Sequence, residues 1–350
     1  MSDGGGAAPR RWTFDPRRSA GGPVLELLPP PGREAEPPPP RPRWGLAVGL
    51  FLLTLLTTTT LGAVWGLWAH PTRTVDVFPW LSPHTVRSVW GDPESLRLGL
   101  AFALPALFIL LCHELGHYLA CRWYRLPATL PRFLPVPVGI GTLGAFIRIR
   151  APIASRRQLF DVGISGPLAG FAALLPFLLV GVARSQPVPV APLDPAAAGA
   201  AGEVAMLLHP GRCLALELAA RAFHGPLPEG TVLHLHPFAL AAWFGLLVTA
   251  MNLLPLGQLD GGHVLYAAAG QLQRRLALPL WLALGLAGLY WPGWLLWCLI
   301  VLLMGLRHPP VRDEAVPLDR GRLALAWLGL AVFVLSFMPV PVEEILIAVP

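Results

Sequence analysis

The 350 residues are 54% hydrophobic and 13% charged, and the mean hydropathy is +0.58, which excludes an ordinary water-soluble domain and indicates a multi-pass membrane protein. The formal charge is +6, yet all 26 basic residues are Arg; with the excess of Ala, Gly and Pro this reflects coding bias, and no nucleic-acid partner is expected. Four cysteines, Cys112, Cys121, Cys213 and Cys298, lack the paired spacing of a disulfide framework or a zinc ribbon.

Residues 1–43 are rich in Pro, Gly and Arg with few large apolar side chains, so they read as a disordered cytoplasmic tail. Their length and Pro content do not fit the short n-region of a signal peptide, and the first apolar run is expected to stay as an anchor. A membrane domain is expected over residues 44–341. Its clear runs approach the ~20 residues that cross a bilayer: Trp44–Trp68, Leu96–Leu119, Phe160–Val182, Phe238–Leu256 and Leu323–Met338. Two shorter runs, Leu276–Tyr290 and Gly293–Leu306, are broken at Trp291-Pro292-Gly293 and form either a tight pair or one bent element. Between the second and third spans, Leu134–Arg150 mixes Val and Ile with Gly and Pro, which suits a short hairpin or re-entrant loop. Val204–Phe223 is apolar, but its Pro210-Gly211-Arg212 break and its internal Glu217 and Arg221 favour an external amphipathic helix over a span.

The expected fold class is an all-α multi-pass membrane protein with about six to seven transmembrane helices and a short re-entrant hairpin. Seven Arg precede the first span, and seven more, from Arg122 to Arg157, separate the second from the third. The loops 70–95 and 183–237 carry few. Basic flanks mark the cytoplasmic side, so the N-terminus is predicted cytoplasmic and the C-terminus external.

His113-Glu114-Leu115-Gly116-His117 lies inside the second span. Residues four apart share a helix face, so His113 and His117 can offer two imidazole nitrogens to one zinc, with Glu114 beside it as general base. Two histidines that merely cap or pack a buried helix are the competing reading, which hydrocarbon disfavours because ionisable groups are costly there. Hydrolytic zinc usually keeps three protein ligands, so a third must come from elsewhere. Asp260 is the candidate. The segment Asn252-Leu253-Leu254-Pro255-Leu256-Gly257-Gln258-Leu259-Asp260-Gly261-Gly262 ends the Phe238 span at the face where His113 and His117 emerge, and Pro255 and Gly257 should break the helix there. His263 and His308 are rival ligands, whereas Cys121, one turn beyond His117, is expected to pack. The small residues from Gly163 to Gly170 read as close packing against the zinc helix.

Together these residues resemble the site-2 protease family of intramembrane zinc metalloproteases. His113-Glu114-Leu115-Gly116-His117 is similar to that family's zinc-binding helix, Asn252 to Gly261 to its Asn, Pro and Asp-Gly motif, and Gly163 to Gly170 to the Gly-rich start of the helix between them. The resemblance covers residues 96–270, the expected metalloprotease core. It implies one Zn2+ per chain held by His113, His117 and Asp260, with Glu114 catalytic. Asn252, Gly144 and Phe146 are expected to bind substrate or support the site, the last two through a strand edge that an extended substrate could join. No loop is long or strand-rich enough for the PDZ domain of many members, so the chain resembles the branch without one. The implied partners are single-pass membrane proteins, cut within the lipid bilayer in regulated intramembrane proteolysis. The expected home is a bacterial plasma membrane, with an organelle envelope as the alternative. A zinc transporter and a non-catalytic scaffold are the alternatives. A transporter should show paired polar sites along several spans or an internal repeat, and a purely structural metal has no use for a base at Glu114.

Overall fold

A 25-residue apolar run with no charged side chain forms the first helix, α1 (Trp44–Trp68), in a computed structural model that describes residues 44–68, 81–189 and 204–348. The short helix α2 (Pro83–Gly91) is capped by Ser82, whose hydroxyl accepts the N–H of Thr85 at 3.0 Å. Asp92 then caps α3 (Pro93–Trp123), accepting the N–H of Ser95 at 3.0 Å, with Pro93 at the first helical turn where a missing N–H costs nothing. At ~1.5 Å per residue α3 is about 46 Å long, more than the ~30 Å of bilayer hydrocarbon.

Two antiparallel strands follow, β1 (Arg132–Pro135) and β2 (Thr142–Phe146). Phe133 faces Ala145 and Pro135 faces Thr142, so Leu134 alone opposes Leu143 and Gly144. That is a bulge, and Gly144 sits in it at φ +101°, a conformation that favours glycine. Ser155 caps α4 (Arg156–Ala183). Then come β3 (Gln186–Pro189), β4 (Val204–Pro210), α5 (Leu214–His224), β5 (Thr231–His234), α6 (Pro237–Asn252), α7 (Asp260–Ala269), α8 (Gln271–Ala287), α9 (Gly293–Met304), α10 (Arg320–Ser336) and β6 (Val342–Ala348). α3, α4 and Trp44–Gly66 of α1 are long and apolar enough to cross a membrane; α6 and α9 are shorter apolar helices.

The chain is mostly helical but not all-α. Beside the expected hairpin, β3 pairs with β5 and β4 with β6, both antiparallel. Residues 204–223 are accordingly not one amphipathic helix: β4 runs to Pro210, and α5 begins only at Leu214 after the Pro-Gly-Arg break. The backbone groups of β4 are met by β6, more than a hundred residues away, a pairing that the local pattern cannot reveal. The two short runs near the C-terminus are a helix pair and not one bent element. Trp281 of α8 donates its indole N–H to the carbonyl of Cys298 in α9 at 2.9 Å, and Leu284, Trp294 and Cys298 are buried between them. The tail expected over residues 1–43 lies outside the described residues.

Lipid tails are as apolar as leucine, so membrane helices hold together through close packing more than through the hydrophobic effect. α3, α4 and α6 form the central trio. Ile109 and Leu110, Leu174 and Leu178, and Ala242 and Leu246 are buried in one cluster. α9 leaves Leu295, Leu299 and Leu303 exposed, which suits contact with lipid.

Candidate metal centre

Three side chains from two helices converge. His113 Nε2 and His117 Nε2 are 3.1 Å apart, and each lies 3.3 Å from Asp260 Oδ2. Among the described residues this is the one group of three His, Cys, Asp or Glu donors close enough to hold a metal ion. Ligands about 2.0–2.1 Å from a tetrahedral zinc stand roughly 3.3 Å from each other, so the spacing fits. Chemistry agrees. The ring Nδ1–H of His117 donates to the Val162 carbonyl at 2.7 Å, which leaves the Nε2 lone pair facing the other two donors. A half-buried carboxylate and two buried imidazole lone pairs pointed at one another call for a cation between them.

Local sequence explains the convergence. α3 crosses the start of α4 with almost no gap: a Cβ on Gly116 would lie 2.4 Å from the Ser165 carbonyl oxygen, and one on Gly166 would lie 2.1 Å from His117 Nε2. The small-residue run from Gly163 to Gly170 thus packs on the zinc helix as expected, and it also shapes the room in which His117 turns. α6 stops at Asn252, and the chain turns through Pro255 and Gly257 before Asp260 opens α7. A Cβ on Gly261 would lie 2.0 Å from the Leu253 carbonyl oxygen. Any larger residue there would push α7, and Asp260 with it, away from α3.

The other expected site residues fall around this centre. Glu114 is buried, with the backbone N–H of Ile147, the residue after β2, facing its carboxylate. Asn252 holds its side-chain Nδ2 3.4 Å from His113 Nε2. Gly144 and Phe146 are on β2, Phe146 next to the Ile147 contact; the Gly144 bulge is buried while Phe146 is exposed. β2 has β1 on one side and, among the described residues, no strand on the other. His263 and His308 are not with the donors. They face each other, Nδ1 of His263 2.8 Å from Nε2 of His308, in a cluster where Tyr266 stacks on His308 and donates to Glu314. His308 donates its Nδ1–H to the Pro309 carbonyl at 2.6 Å, and burial pushes its pKa below the ordinary imidazole value. Cys121 is buried and free, outside the donor group.

The Val162 carbonyl and the Ile147 N–H are not visible in the sequence, because backbone groups carry no residue signature. Thr57 and Trp65, which hydrogen-bond the turn between β1 and β2, match no motif either. The run Thr57 to Thr60 inside an otherwise apolar span was the available signal.

A zinc-type donor set on a membrane-depth helix, closed by a broken helix from a second segment, defines a class of membrane metallohydrolase. Residues 101–281 match the model of Peptidase family M50, and the chain belongs to that family. It is 33% identical over 319 residues to the probable zinc metalloprotease EGY1, chloroplastic, of Arabidopsis thaliana, covering 88% of this chain and 56% of that protein. The protein of the same name from Oryza sativa subsp. japonica is 32% identical over 320 residues, covering 88% and 52%. The probable zinc metalloprotease EGY2, chloroplastic, of Arabidopsis thaliana is 32% identical over 257 residues, covering 73% and 44%. The chain spans about half the length of these curated relatives. Family and apolar helices together make it a membrane-embedded protein.

Proposed function

We propose that this chain is an intramembrane zinc metalloprotease that hydrolyses peptide bonds within transmembrane segments of single-pass membrane proteins. The observation that carries the reading is the convergence of His113, His117 and Asp260 within 3.3 Å of one another, with the carboxylate of Glu114 one residue along a candidate membrane-spanning helix. His113, His117 and Asp260 would hold the zinc. When bound, the zinc supplies a Lewis acid that polarises a carbonyl and makes water nucleophilic near neutral pH.

The chain's own residues do the rest. Glu114 takes the proton of the attacking water and delivers it to the leaving nitrogen. Asn252, beside His113, offers an amide N–H to the substrate carbonyl. A helical substrate shields its carbonyls, so it must unwind before attack. The free edge of β2, with Gly144 and Phe146, receives the unwound strand by backbone pairing.

The same proposal covers the frame. Residues 96–270 form the metalloprotease core of a membrane domain over 44–341, with six to seven spans, a cytoplasmic N-terminus and residues 1–43 as a cytoplasmic tail. The membrane is taken to be a bacterial plasma membrane; the chloroplast descriptor is that of the relatives. A transporter is less well supported, because the donors form a single group among the described residues. A scaffold leaves the buried Glu114 without a purpose.

Glu114→Gln in purified, lipid-reconstituted protein is the test. Cleavage of a tagged single-pass substrate is expected to fall at least about a hundredfold while zinc content stays at the wild-type level. Retained hydrolysis would remove Glu114 from the chemistry, and lost zinc would make it a structural residue of the centre.

A further inference from the structure

The hairpin that carries β2 is held at both ends, and two of the three contacts at its tip come from a membrane helix. Three alternate carbonyls of the turn accept hydrogen bonds from outside the hairpin. Pro137 accepts the N–H of Leu81 at 2.7 Å, Gly139 the indole N–H of Trp65 at 3.1 Å, and Gly141 the hydroxyl of Thr57 at 2.6 Å. Gly141 is at φ +89°, and a Cβ there would lie 2.5 Å from the backbone of Thr57, so the turn rests directly on α1.

Thr57 differs from Thr54 and Thr60 on the same helix. In hydrocarbon a threonine normally returns its hydroxyl proton to a carbonyl one turn back, as Thr54 does to Leu50 at 2.7 Å and Thr60 to Leu56 at 2.8 Å. Thr57 has the same option, with Leu53 O at 3.2 Å and Thr54 O at 3.1 Å. Its hydroxyl oxygen lies nearest Gly141 O, at 2.6 Å. Phe51, on the same helix, packs edge-on against Phe133 of β1 with centroids 5.3 Å apart. α1 therefore covers β1 and leaves β2 as the open strand. At the opposite end the Arg150 N–H donates to the Pro127 carbonyl at 2.8 Å and the Thr129 N–H to the Arg148 carbonyl at 3.0 Å, which closes the base of the hairpin.

We propose that Thr57 is a positioning residue: by pinning the turn at Gly141 while the base of the hairpin is closed at Arg150 and Thr129, it fixes the height of β2 beside the metal centre and so determines which substrate bond is cut. The inference rests on the proteolytic reading above. Without the Thr57 bond the turn keeps only its Pro137 and Gly139 contacts, so the Gly141 end of β2 can shift, and a substrate paired along it presents neighbouring bonds to the centre in place of one. Zinc ligation is untouched, because Thr57 contacts none of the three donors.

The test compares Thr57→Val, which keeps the shape and removes the hydroxyl, with Thr57→Ser, which keeps the hydroxyl, in full-length protein in lipid nanodiscs. Amide hydrogen exchange of residues 136–146 is expected to rise about tenfold in Thr57→Val, as for one lost hydrogen bond, and to return toward wild type in Thr57→Ser. Exchange of residues 105–117 and zinc content should stay unchanged in both. Mass spectrometry of the products should show one principal cut for wild type and Thr57→Ser, and cuts spread over adjacent bonds for Thr57→Val. Wild-type exchange and a single cut in Thr57→Val would overturn the proposal and leave Thr57 a packing residue. Raised exchange with an unmoved cut would reject its role in selecting the bond. A wild type that cleaves nothing would defeat the proteolytic reading, separately from the exchange result.

Discussion

Alanine at Gly166 would put a methyl carbon 2.1 Å from His117 Nε2 and 2.5 Å from His117 Cδ2 and Cε1. Ordinary contact begins near 3.4 Å, so the ring and the new methyl must separate by about 1.3 Å. The imidazole cannot yield by that much, since a zinc–nitrogen bond is about 2.0–2.1 Å and fails when stretched by half its length. α4 cannot retreat freely either. The Val162 carbonyl that holds His117 Nδ1 at 2.7 Å is on the same helix, and backing α4 away would stretch that bond to about 4 Å, beyond hydrogen-bonding range. Either route disorders one ligand. Overpacking should cost about 1–3 kcal/mol of stability, which leaves a folded protein, while zinc affinity should fall about a hundredfold. The assay is zinc retained per chain against a graded chelator, with Gly49→Ala as control, because a Cβ at Gly49 meets nothing within 4 Å. Wild-type zinc affinity in Gly166→Ala would refute the packing argument.

Four further outcomes are expected. Asp260→Ala and His117→Ala should each lose the bound zinc, read as metal per chain by mass spectrometry; full zinc in Asp260→Ala would transfer the third ligand elsewhere. Asn252→Ala should keep zinc yet lower kcat by about tenfold to a hundredfold with little change in KM, so a pure KM effect would argue against contact with the reacting carbonyl. Asp161→Asn should loosen the start of α10, where Arg322 binds Asp161 through Nε at 2.8 Å and Nη2 at 2.6 Å. A charge-assisted pair of this kind contributes about 1–3 kcal/mol, read as a lower melting temperature and faster exchange over residues 320–325. Finally, burial holds the pKa of His308 below its unfolded value, so the folded state binds fewer protons than the unfolded one and the His308 cluster loses stability as pH falls below about 6.5. Exchange of residues 305–315 should therefore rise between neutral and mildly acid pH. Arg274, whose Nε donates to the His308 carbonyl at 3.2 Å, adds repulsion on protonation. An unchanged exchange rate down to pH 5 would contradict this.

How legible each part was depended on how local its cause is. α1 ends where its apolar run ends, at Trp44 and Trp68, because a bilayer-length apolar stretch has no better local structure. His113 and His117 could be paired from their spacing alone, since helical geometry brings residues four apart onto one face. Asp260 needed one more step, from the broken helix after Asn252, and the structure brings it to both imidazoles. What escaped is non-local. β4 finds β6, and β3 finds β5, through backbone bonds between distant segments. α2 escaped because nine residues with a Ser82 cap are too short to show a clear period. α7 escaped for a related reason: its tight docking depends on Gly261, whose fit shows only when the Leu253 carbonyl is beside it. The hairpin was visible as a poor helix former, but its anchoring on Thr57 was not.

The most direct check of intramembrane proteolysis is the location of the new termini. A single-pass substrate of known sequence, reconstituted in liposomes with the zinc-loaded protein, would be analysed by intact-mass spectrometry of both fragments. The account predicts complementary termini inside the substrate's apolar segment, absent when Glu114→Gln replaces the wild type. Termini confined to the water-exposed flanks, or the same fragments from the Glu114→Gln protein, would contradict it.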